Sequence, residues 1–294
     1  MRIGEAYGPD TFGLSFELFP PKTAGGEISL FRHVSQLVSF QPSFITCTYG
    51  AGGSTRDKTL EIVERVHQTY GCPVASHLTC VGATTEQLRG YLEEAAQRKI
   101  ANIVALRGDP PKGETEFRPV EGGLHFANDL VQLIRGEFPE FGIAVAGYPE
   151  THQEATSPQA DLENLKRKVD SGGDVVITQL FYNNSDFFRF REACDKLGIS
   201  VPIVPGILPV TNLAQIQRIT NLCGARLPDE FVSDLQKCSD DEAKQFEVGV
   251  QFASRQVQQL RDADVPGIHF YVLNKSQATA GVLRNVGFHQ AASE

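Results

Sequence analysis

Eight short apolar runs recur along this chain, and amphipathic stretches fill most of the gaps between them. The runs have the length of strands, whereas the stretches between them have the hydrophobic periodicity of helices. Strand and helix alternating eight times predict an α/β fold, a single (β/α)8 TIM-barrel domain over residues 1–294. The predicted strands are Leu14–Leu18, Ser43–Thr48, Pro73–Leu78, Ala101–Leu106, Gly142–Ala146, Asp174–Gln179, Val201–Val204 and Gly267–Leu273.

The helices are predicted in the gaps, and an insertion follows the seventh of them. This insertion, Pro228–Asp264, contains a short helix and then a long one through Phe246–Leu260, so the barrel has extra helices between strands 7 and 8. A final helix is predicted at Ser276–Val286. The first seven helices are predicted at 27–40, 55–69, 84–97, 125–137, 158–171, 185–197 and 211–221.

Nearly every apolar run ends in a polar residue that a buried strand would not be expected to contain. In a (β/α)8 barrel the carboxyl ends of the strands meet on one face, and that face holds the active site. We therefore expect these polar side chains to surround one site. They are Glu17, Thr48, His77, Arg107, Asp109, Tyr148, Glu150, Gln179 and Asn274.

Charge, apolar runs and cysteine spacing exclude several classes of protein. The formal net charge is −9, whereas a protein that binds nucleic acid needs a basic surface, so nucleic-acid binding is not expected. No run approaches the ~18 apolar residues of a membrane span, and residues 1–11 lack the apolar segment of an export signal, so a cytoplasmic protein is predicted. The six cysteines form no CxxC pair, and Cys72, His77 and Cys80 lack a fourth ligand, so no metal is predicted.

Glu17 lies in the first strand among Phe16, Leu18 and Phe19. A carboxyl group removed from water has a raised pKa and can stay protonated near neutral pH, which is the state that a general acid needs. Alternatively, Glu17 is the structural ion-pair partner of a cation inside the barrel, because such pairs also perturb pKa values. Both interpretations stay open on the sequence alone.

The fourth strand delivers Arg107 and Asp109 at its carboxyl end, with Gly108 between them. A glycine there lets a ligand approach the backbone closely. The following residues do not form a Walker A sequence, and no GxGxxG follows a strand. Any dinucleotide must therefore be held in a non-Rossmann way.

The predicted helix 158–171 has a polar stripe beside its apolar one. Asp161, Asn164 and Lys168 recur at helical spacing and flank the core-facing positions. A stripe of this kind is often a solvated face. Here it follows the Tyr148–His152 segment, so a ligand that crosses this segment would touch both.

Taken together, these segments resemble the methylenetetrahydrofolate reductase family, and in particular its single-domain bacterial form. The resemblance implies a FAD-containing (β/α)8 barrel that reduces 5,10-methylenetetrahydrofolate to 5-methyltetrahydrofolate with NADH or NADPH in a ping-pong reaction. The similar segments span almost the whole chain in order. They are Ser15–Pro21, Thr48–Gly50, His77–Cys80, Ala105–Asp109, Tyr148–Glu150, His152, Ala160–Asp161, Lys166–Lys168, Ile177–Gln179, Pro205–Pro209 and His269–Tyr271.

The same resemblance implies roles for individual residues. Glu17 matches the general acid, Asp109 the carboxylate near flavin and folate, and Gln179 the residue that contacts folate and nicotinamide in turn. The implied substrate-binding residues are Glu17, Thr48, Asp109, Gln179, Leu213 and Lys275. The implied FAD contacts are Thr48, Tyr49, Ala51, His77, Arg107, Gly108, Asp109, Ala127, Tyr148, His152, Ala155, Asp161, Asn164, Arg167 and Lys168.

Three positions depart from the family pattern: Leu213 replaces an aromatic residue that stacks on substrate, Lys275 stands where some relatives have arginine, and Gly173 replaces an alanine. The expected partners are the folate and the nicotinamide nucleotide, with a homo-oligomeric assembly and without nucleic acid or membrane. A protein of another class is the main alternative: a methyltransferase-like barrel that binds folate, performs no redox step and is colourless.

Overall fold

The computed structural model describes residues 1–8, 11–49, 56–110, 113–114 and 116–290. Its strands form one parallel sheet in the order β7-β6-β5-β4-β3-β2-β1-β9-β8. The strands are β1 Gly13–Leu18, β2 Phe44–Cys47, β3 Val74–Thr79, β4 Asn102–Leu106, β5 Gly142–Gly147, β6 Val175–Thr178, β7 Ile203–Val204, β8 Gly206–Ile207 and β9 Gly267–Tyr271.

The two ends of this strand order meet at Pro205, which separates β7 from β8. The Pro205 carbonyl accepts a hydrogen bond of 3.0 Å from the His269 amide, so the sheet closes into a barrel. The seventh strand of the sequence prediction, Val201–Val204, is therefore shorter than predicted and continues after an interruption. The reason is that proline has no amide hydrogen to donate to the ladder.

The helices surround the barrel at the predicted places, with their ends shifted by a few residues. The long helix of the predicted insertion begins at Glu242, four positions before the predicted Phe246. The helices are α1 Ala24–Val38, α2 Arg56–Tyr70, α3 Thr85–Gln97, α4 Ala127–Glu137, α5 Pro158–Asp170, α6 Asn184–Lys196, α7 Leu213–Cys223, α8 Asp229–Gln236, α9 Glu242–Asp262 and α10 Gln277–Asn285.

The amino-terminal end of the barrel is plugged by a short 3-10 helix, Ile3–Tyr7. The buried Ile3 and Tyr7 side chains pack against Phe44 and Val104 inside the barrel. The Ile3 amide also donates a hydrogen bond of 2.6 Å to the Asn102 side chain. This plug fills the floor of the barrel with apolar groups and leaves the carboxyl ends of the strands for chemistry.

Helix α7 and the two extra helices, α8 and α9, form a hydrophobic cluster of their own beside the barrel. Its centre is the stacked pair Phe231 and Phe252, whose ring centroids lie 3.8 Å apart, next to Tyr182. This packing gives the insertion a fixed position beside strands β6 and β8. Among the described helices, none combines the length and apolar character that crossing a membrane requires.

Candidate active site

Glu17 lies inside the barrel between two histidines. Its Oε2 is 3.3 Å from His77 Nε2 and 3.7 Å from His269 Nε2, and all three side chains are buried. The contacts continue toward the floor, since His269 Nδ1 lies 2.8 Å from Ser15 Oγ and Ser15 Oγ lies 3.3 Å from the Tyr7 hydroxyl. These contacts form one connected chain from Tyr7 on the floor to Glu17 and His77.

The expectation that the pKa of Glu17 is raised overall is wrong. Side chains alternate along a strand, and Phe16 and Leu18 point into the core between sheet and helices, whereas Glu17 points inward. Burial does raise the pKa of Glu17, but the His77 and His269 imidazoles, in their charged form, lower it to about 2. With a pKa of about 2, Glu17 is an anion at neutral pH.

The partners required by the alternative interpretation of Glu17 are present, because two imidazoles lie at salt-bridge distance from its carboxylate. Their presence does not remove the general-acid interpretation, since a carboxylate in contact with an imidazolium can take the proton and pass it on. The structure shows that the carboxyl group of Glu17 is ionised at neutral pH, so Glu17 has to receive a proton before it can pass one on. Glu17, His77 and His269 have to be treated as one acid–base group.

Arg107 lies just past β4 and is held from three directions. Its Nη1 and Nη2 donate to the two carboxylate oxygens of Glu154 at 2.6 and 2.8 Å, and its Nε donates to the Gly108 carbonyl at 3.2 Å. Its guanidinium carbon also lies 5.0 Å from the centroid of the Phe117 ring. Gly108 has a φ of 90°, and an added Cβ would come within 2.7 Å of Val81, so a side chain does not fit there.

Helix α5 brings a carboxylate and a lysine to the same rim. Ser157 caps its first turn by accepting the Ala160 amide at 3.1 Å, as serine at a helix N-terminus commonly does. One turn later Asp161, which is buried, accepts the His152 amide at 2.9 Å. The predicted polar stripe thus contacts the loop after β5, as the sequence indicated.

Lys168 lies two turns further along α5. Its Nζ donates to the Ala146 carbonyl at 2.5 Å and lies 5.6 Å from the centroid of the Tyr148 ring. Burial disfavours the charged form and lowers the pKa of Lys168 to about 8. Tyr148 in turn packs edge-on against His152, with ring centroids 4.6 Å apart.

The other described residues of the implied cofactor set lie on α5, at the start of α4 and in the loops after β2, β4 and β5. Asn164 and Arg167 are exposed on α5 and hydrogen bond to each other. Ala127 begins α4, and the Ala155 amide donates to the His152 carbonyl at 2.9 Å. Ala51 lies outside the described residues. Thr48 and Tyr49 follow β2, and Tyr49 contacts Thr79 on the neighbouring strand.

The implied substrate residues occupy separate places on the rim. Gln179 follows β6, and its amide donates to the Gly147 carbonyl at 2.8 Å. Leu213 begins α7, and its amide donates to the Gln245 side chain at 2.9 Å. Lys275 is exposed in the loop after β9. Asp109 is also exposed, and its charge contributes to raising the pKa of Tyr148 and of Arg107.

Several residues of the site were missed by the sequence analysis. His269 and Ser15 appeared only as parts of family-like segments. The signal that would have found them is the two-residue period of a strand. Ser15 precedes the inward-facing Glu17 by two positions, and His269 precedes Tyr271 in the same way. Glu154, which pairs with Arg107, gave no signal of this kind.

The known proteins that this chain resembles belong to one family. The family model described as methylenetetrahydrofolate reductase matches residues 2–287. Methylenetetrahydrofolate reductase (NADH) 1 of Zea mays is 40% identical over 296 residues, which cover 97% of this chain and 50% of that protein. The 5,10-methylenetetrahydrofolate reductase of Escherichia coli K12 is 39% identical over 274 residues, 93% of this chain and 90% of that protein.

The chain thus spans about half the length of the plant relatives that it matches. Among solved structures, an uncharacterized protein from Clostridium thermocellum that binds two copies of 5-methyl-5,6,7,8-tetrahydrofolic acid superposes with a TM-score of 0.62. The two are 15% identical, and the match covers 93% of this chain and 94% of that one, so it shows a common fold. The family match over nearly the whole chain, together with the identity to the bacterial and plant enzymes, shows that this chain belongs to the methylenetetrahydrofolate reductase family.

Proposed function

We propose that this protein reduces 5,10-methylenetetrahydrofolate to 5-methyltetrahydrofolate with electrons from NADH or NADPH, using bound FAD. Family membership supports the reaction. The structural observation that carries the proposal is the buried Glu17–His77–His269 cluster. It lies in the same barrel whose rim presents Arg107 and the low-pKa Lys168. One opening of the barrel thus combines an acid–base group with cations for an anionic ligand.

The described residues fit a flavin nucleotide. His77 Nδ1 is buried and has no hydrogen-bond partner among the described residues. Buried polar atoms are almost always hydrogen bonded, so a polar edge of a ligand would satisfy this nitrogen. Arg107 and Lys168 would hold the phosphates, Gly108 would admit the ligand to the backbone, and Asp161 would keep the His152 segment in place. A bound flavin supplies the ability to accept a hydride from a reduced nicotinamide and to donate it to an electrophilic carbon.

The protein residues would perform the acid–base steps on the folate. Opening of the five-membered ring requires a proton at N10 and leaves an iminium cation at N5. Glu17 would deliver this proton and recover it from His77 or His269, with which it is already in contact. Asp109, which is exposed on the rim, would stabilise the cation electrostatically once bound ligands exclude water from it, since the effect is larger where water is excluded.

Nicotinamide and folate would use the same face of the barrel in turn. Gln179 and Thr48 follow strands β6 and β2, where each would contact both molecules. This sharing supports a ping-pong order in which the nicotinamide leaves before the folate enters. NADH is the donor to test first, because the plant relatives bear NADH in their names. A homo-oligomeric state stays a prediction.

The purified protein should be yellow and contain FAD rather than FMN. The reason is that the implied contacts extend from His77 past Arg107 to α5, a set that reaches beyond an isoalloxazine ring and one phosphate. The measurement is the visible absorption spectrum, followed by chromatography of the cofactor that heating releases. FMN would contradict the assignment of the α5 contacts. A colourless protein that still binds folate would favour the non-redox alternative.

The affinity for FAD should fall as pH rises through 8. With a pKa of about 8, Lys168 is charged at pH 7 and mostly neutral at pH 9. If the charged form is the one that binds phosphate, the apparent Kd should be about tenfold higher at pH 9 than at pH 7. Titration of the apoprotein with FAD, followed by flavin fluorescence, measures this dependence.

Two variants control this experiment. Lys168→Met should bind FAD more weakly and show a flat dependence between pH 7 and pH 9. Lys166 lies on the same helix but pairs with Asp170 on its outer face, so Lys166→Gln should keep the wild-type dependence. A flat wild-type profile would show that Lys168 does not bind the phosphates through its charge.

A further inference from the structure

Arg226 lies in the connection between α7 and α8, where neither the sequence pattern nor the family-like segments indicated a functional residue. Its Nε donates to Glu150 Oε1 at 2.9 Å, and its backbone amide donates to both Glu150 carboxylate oxygens at 3.2 Å. Its Nη2 lies 3.4 Å from Asp186 Oδ1. Arg226 therefore joins the loop after β5 to the start of α6.

The two carboxylates are buried, whereas the arginine is not. The side chains of Glu150 and Asp186 are 9% and 4% exposed, and that of Arg226 is 74% exposed. A buried carboxylate is tolerated when a cation and hydrogen bonds compensate its lost hydration. Arg226 covers Glu150 from the solvent side, and removing its guanidinium would leave the Glu150 charge poorly compensated.

Glu150 belongs to a strained loop, residues 148–155, which we call the cofactor loop because it contains Tyr148 and His152. The residue after Glu150, Thr151, has a φ of 73°. A β-branched residue rarely adopts positive φ, and such a conformation persists only when its surroundings impose it. The contacts of the neighbouring residues show what imposes it here.

The cofactor loop is tied down on both sides of Thr151. Before it, Glu150 is held by Arg226; after it, the His152 amide donates to Asp161 at 2.9 Å. Gln153 Nε2 donates to the Leu222 carbonyl at the end of α7 at 3.1 Å. Gly224, with a φ of 76°, allows this close contact, because an added Cβ would come within 2.7 Å of Gln153 Nε2.

We propose that Arg226 is a positioning residue that keeps the cofactor loop in the strained conformation in which Tyr148 and His152 face the flavin site. This inference rests on the proposed function, since it assumes that the loop binds FAD. Arg226 follows α7, whose first residue is Leu213. Its contacts therefore also connect the carboxyl end of that helix to the cofactor loop. Without the Arg226 side chain, the loop relaxes at Thr151 and presents Tyr148 and His152 less often.

Arg226→Ala should raise the Kd for FAD about tenfold, a change of the size that strain at one residue can produce. Arg189→Ala is the matched control. Arg189 also pairs with Asp186 and is similarly exposed, at 65%, but its other contact is Ser185 on its own helix. The Arg189→Ala protein should therefore bind FAD with wild-type affinity.

The Thr151→Gly substitution separates positioning from a general loss of structure. Glycine adopts positive φ at little cost, so the loop no longer needs to be held. In the Arg226→Ala background, Thr151→Gly should bring the Kd back to within about twofold of wild type. A protein that is simply destabilised would not recover FAD affinity in this way. If Arg226→Ala fails to fold, Arg226→Lys keeps the charge and should show a smaller loss with the same rescue.

The outcomes are distinct. Wild-type protein without FAD affinity would overturn both the proposed function and this inference. Wild-type binding together with an unchanged Kd in Arg226→Ala would overturn the inference alone. The same conclusion follows if Arg189→Ala loses as much affinity as Arg226→Ala, or if Thr151→Gly restores nothing.

Discussion

Glu17→Gln should lower the rate of methylenetetrahydrofolate reduction by ~10²–10⁴-fold, the range typical of losing a general acid. Glutamine keeps the size of the side chain and can still accept a hydrogen bond from His77 or His269. It cannot take a proton from either imidazole and deliver it to N10 of the folate. The transfer of electrons from NADH to bound FAD needs no proton from this position and should be retained.

The measurement compares two steady-state assays on one preparation: NADH oxidation with methylenetetrahydrofolate, and NADH oxidation with an artificial electron acceptor such as menadione. Only the first should fall. FAD content and the thermal unfolding temperature control for folding, because Glu17 also has a structural contact with both histidines. A variant that loses FAD or unfolds would show that this contact is the main role of Glu17. Unchanged folate turnover would reject the proposed acid.

Asp109→Asn should slow folate reduction by ~10²–10³-fold, as expected when one group that stabilises developing charge is removed. The carboxylate would stabilise a cation that forms only when the folate ring opens. The step in which NADH gives up its hydride develops no such cation on the folate and should be slowed much less. Rapid-mixing measurements of flavin reduction by NADH and of flavin reoxidation by methylenetetrahydrofolate test the two steps separately.

A carboxylate in the same loop provides the control. Glu114 is exposed and follows Asp109 by five positions, so Glu114→Gln removes the same charge from the vicinity without touching the proposed site. It should leave both steps at the wild-type rate. If Asp109→Asn slows both steps equally, the carboxylate contributes to binding the flavin or shaping the loop, and its specific role toward the folate cation is refuted.

Much of the fold follows from local pattern. Apolar runs such as Leu14–Leu18 and amphipathic stretches such as 158–171 predicted β1 and α5, because period and length are properties of neighbouring residues. The seventh strand was predicted less well. Ile203–Val204 pairs with β6, whereas Gly206–Ile207 pairs with β9. This change of partner at Pro205 depends on how the barrel closes.

The site was predicted in part for the same reason. The polar residues at strand ends could be found because parallel strands in a barrel place their carboxyl ends together. The contact between Arg226 and the cofactor loop could not be predicted. Arg226 and Glu150 lie 76 positions apart and meet only when α7 and α8 pack beside the barrel. Nothing in the local sequence of either residue indicates the other.

The sequence by itself determined the order of strands and helices, the family, and which strand ends are polar, because these depend on local periodicity and on recognisable segments. The tertiary structure alone decided the state of Glu17. Its pKa depends on charges within a few ångströms, and β1 meets β9 only when the barrel closes, which brings together Ser15 and His269 from positions 254 residues apart. An electrostatic environment is a property of distances in space, and the chain acquires those distances only on folding.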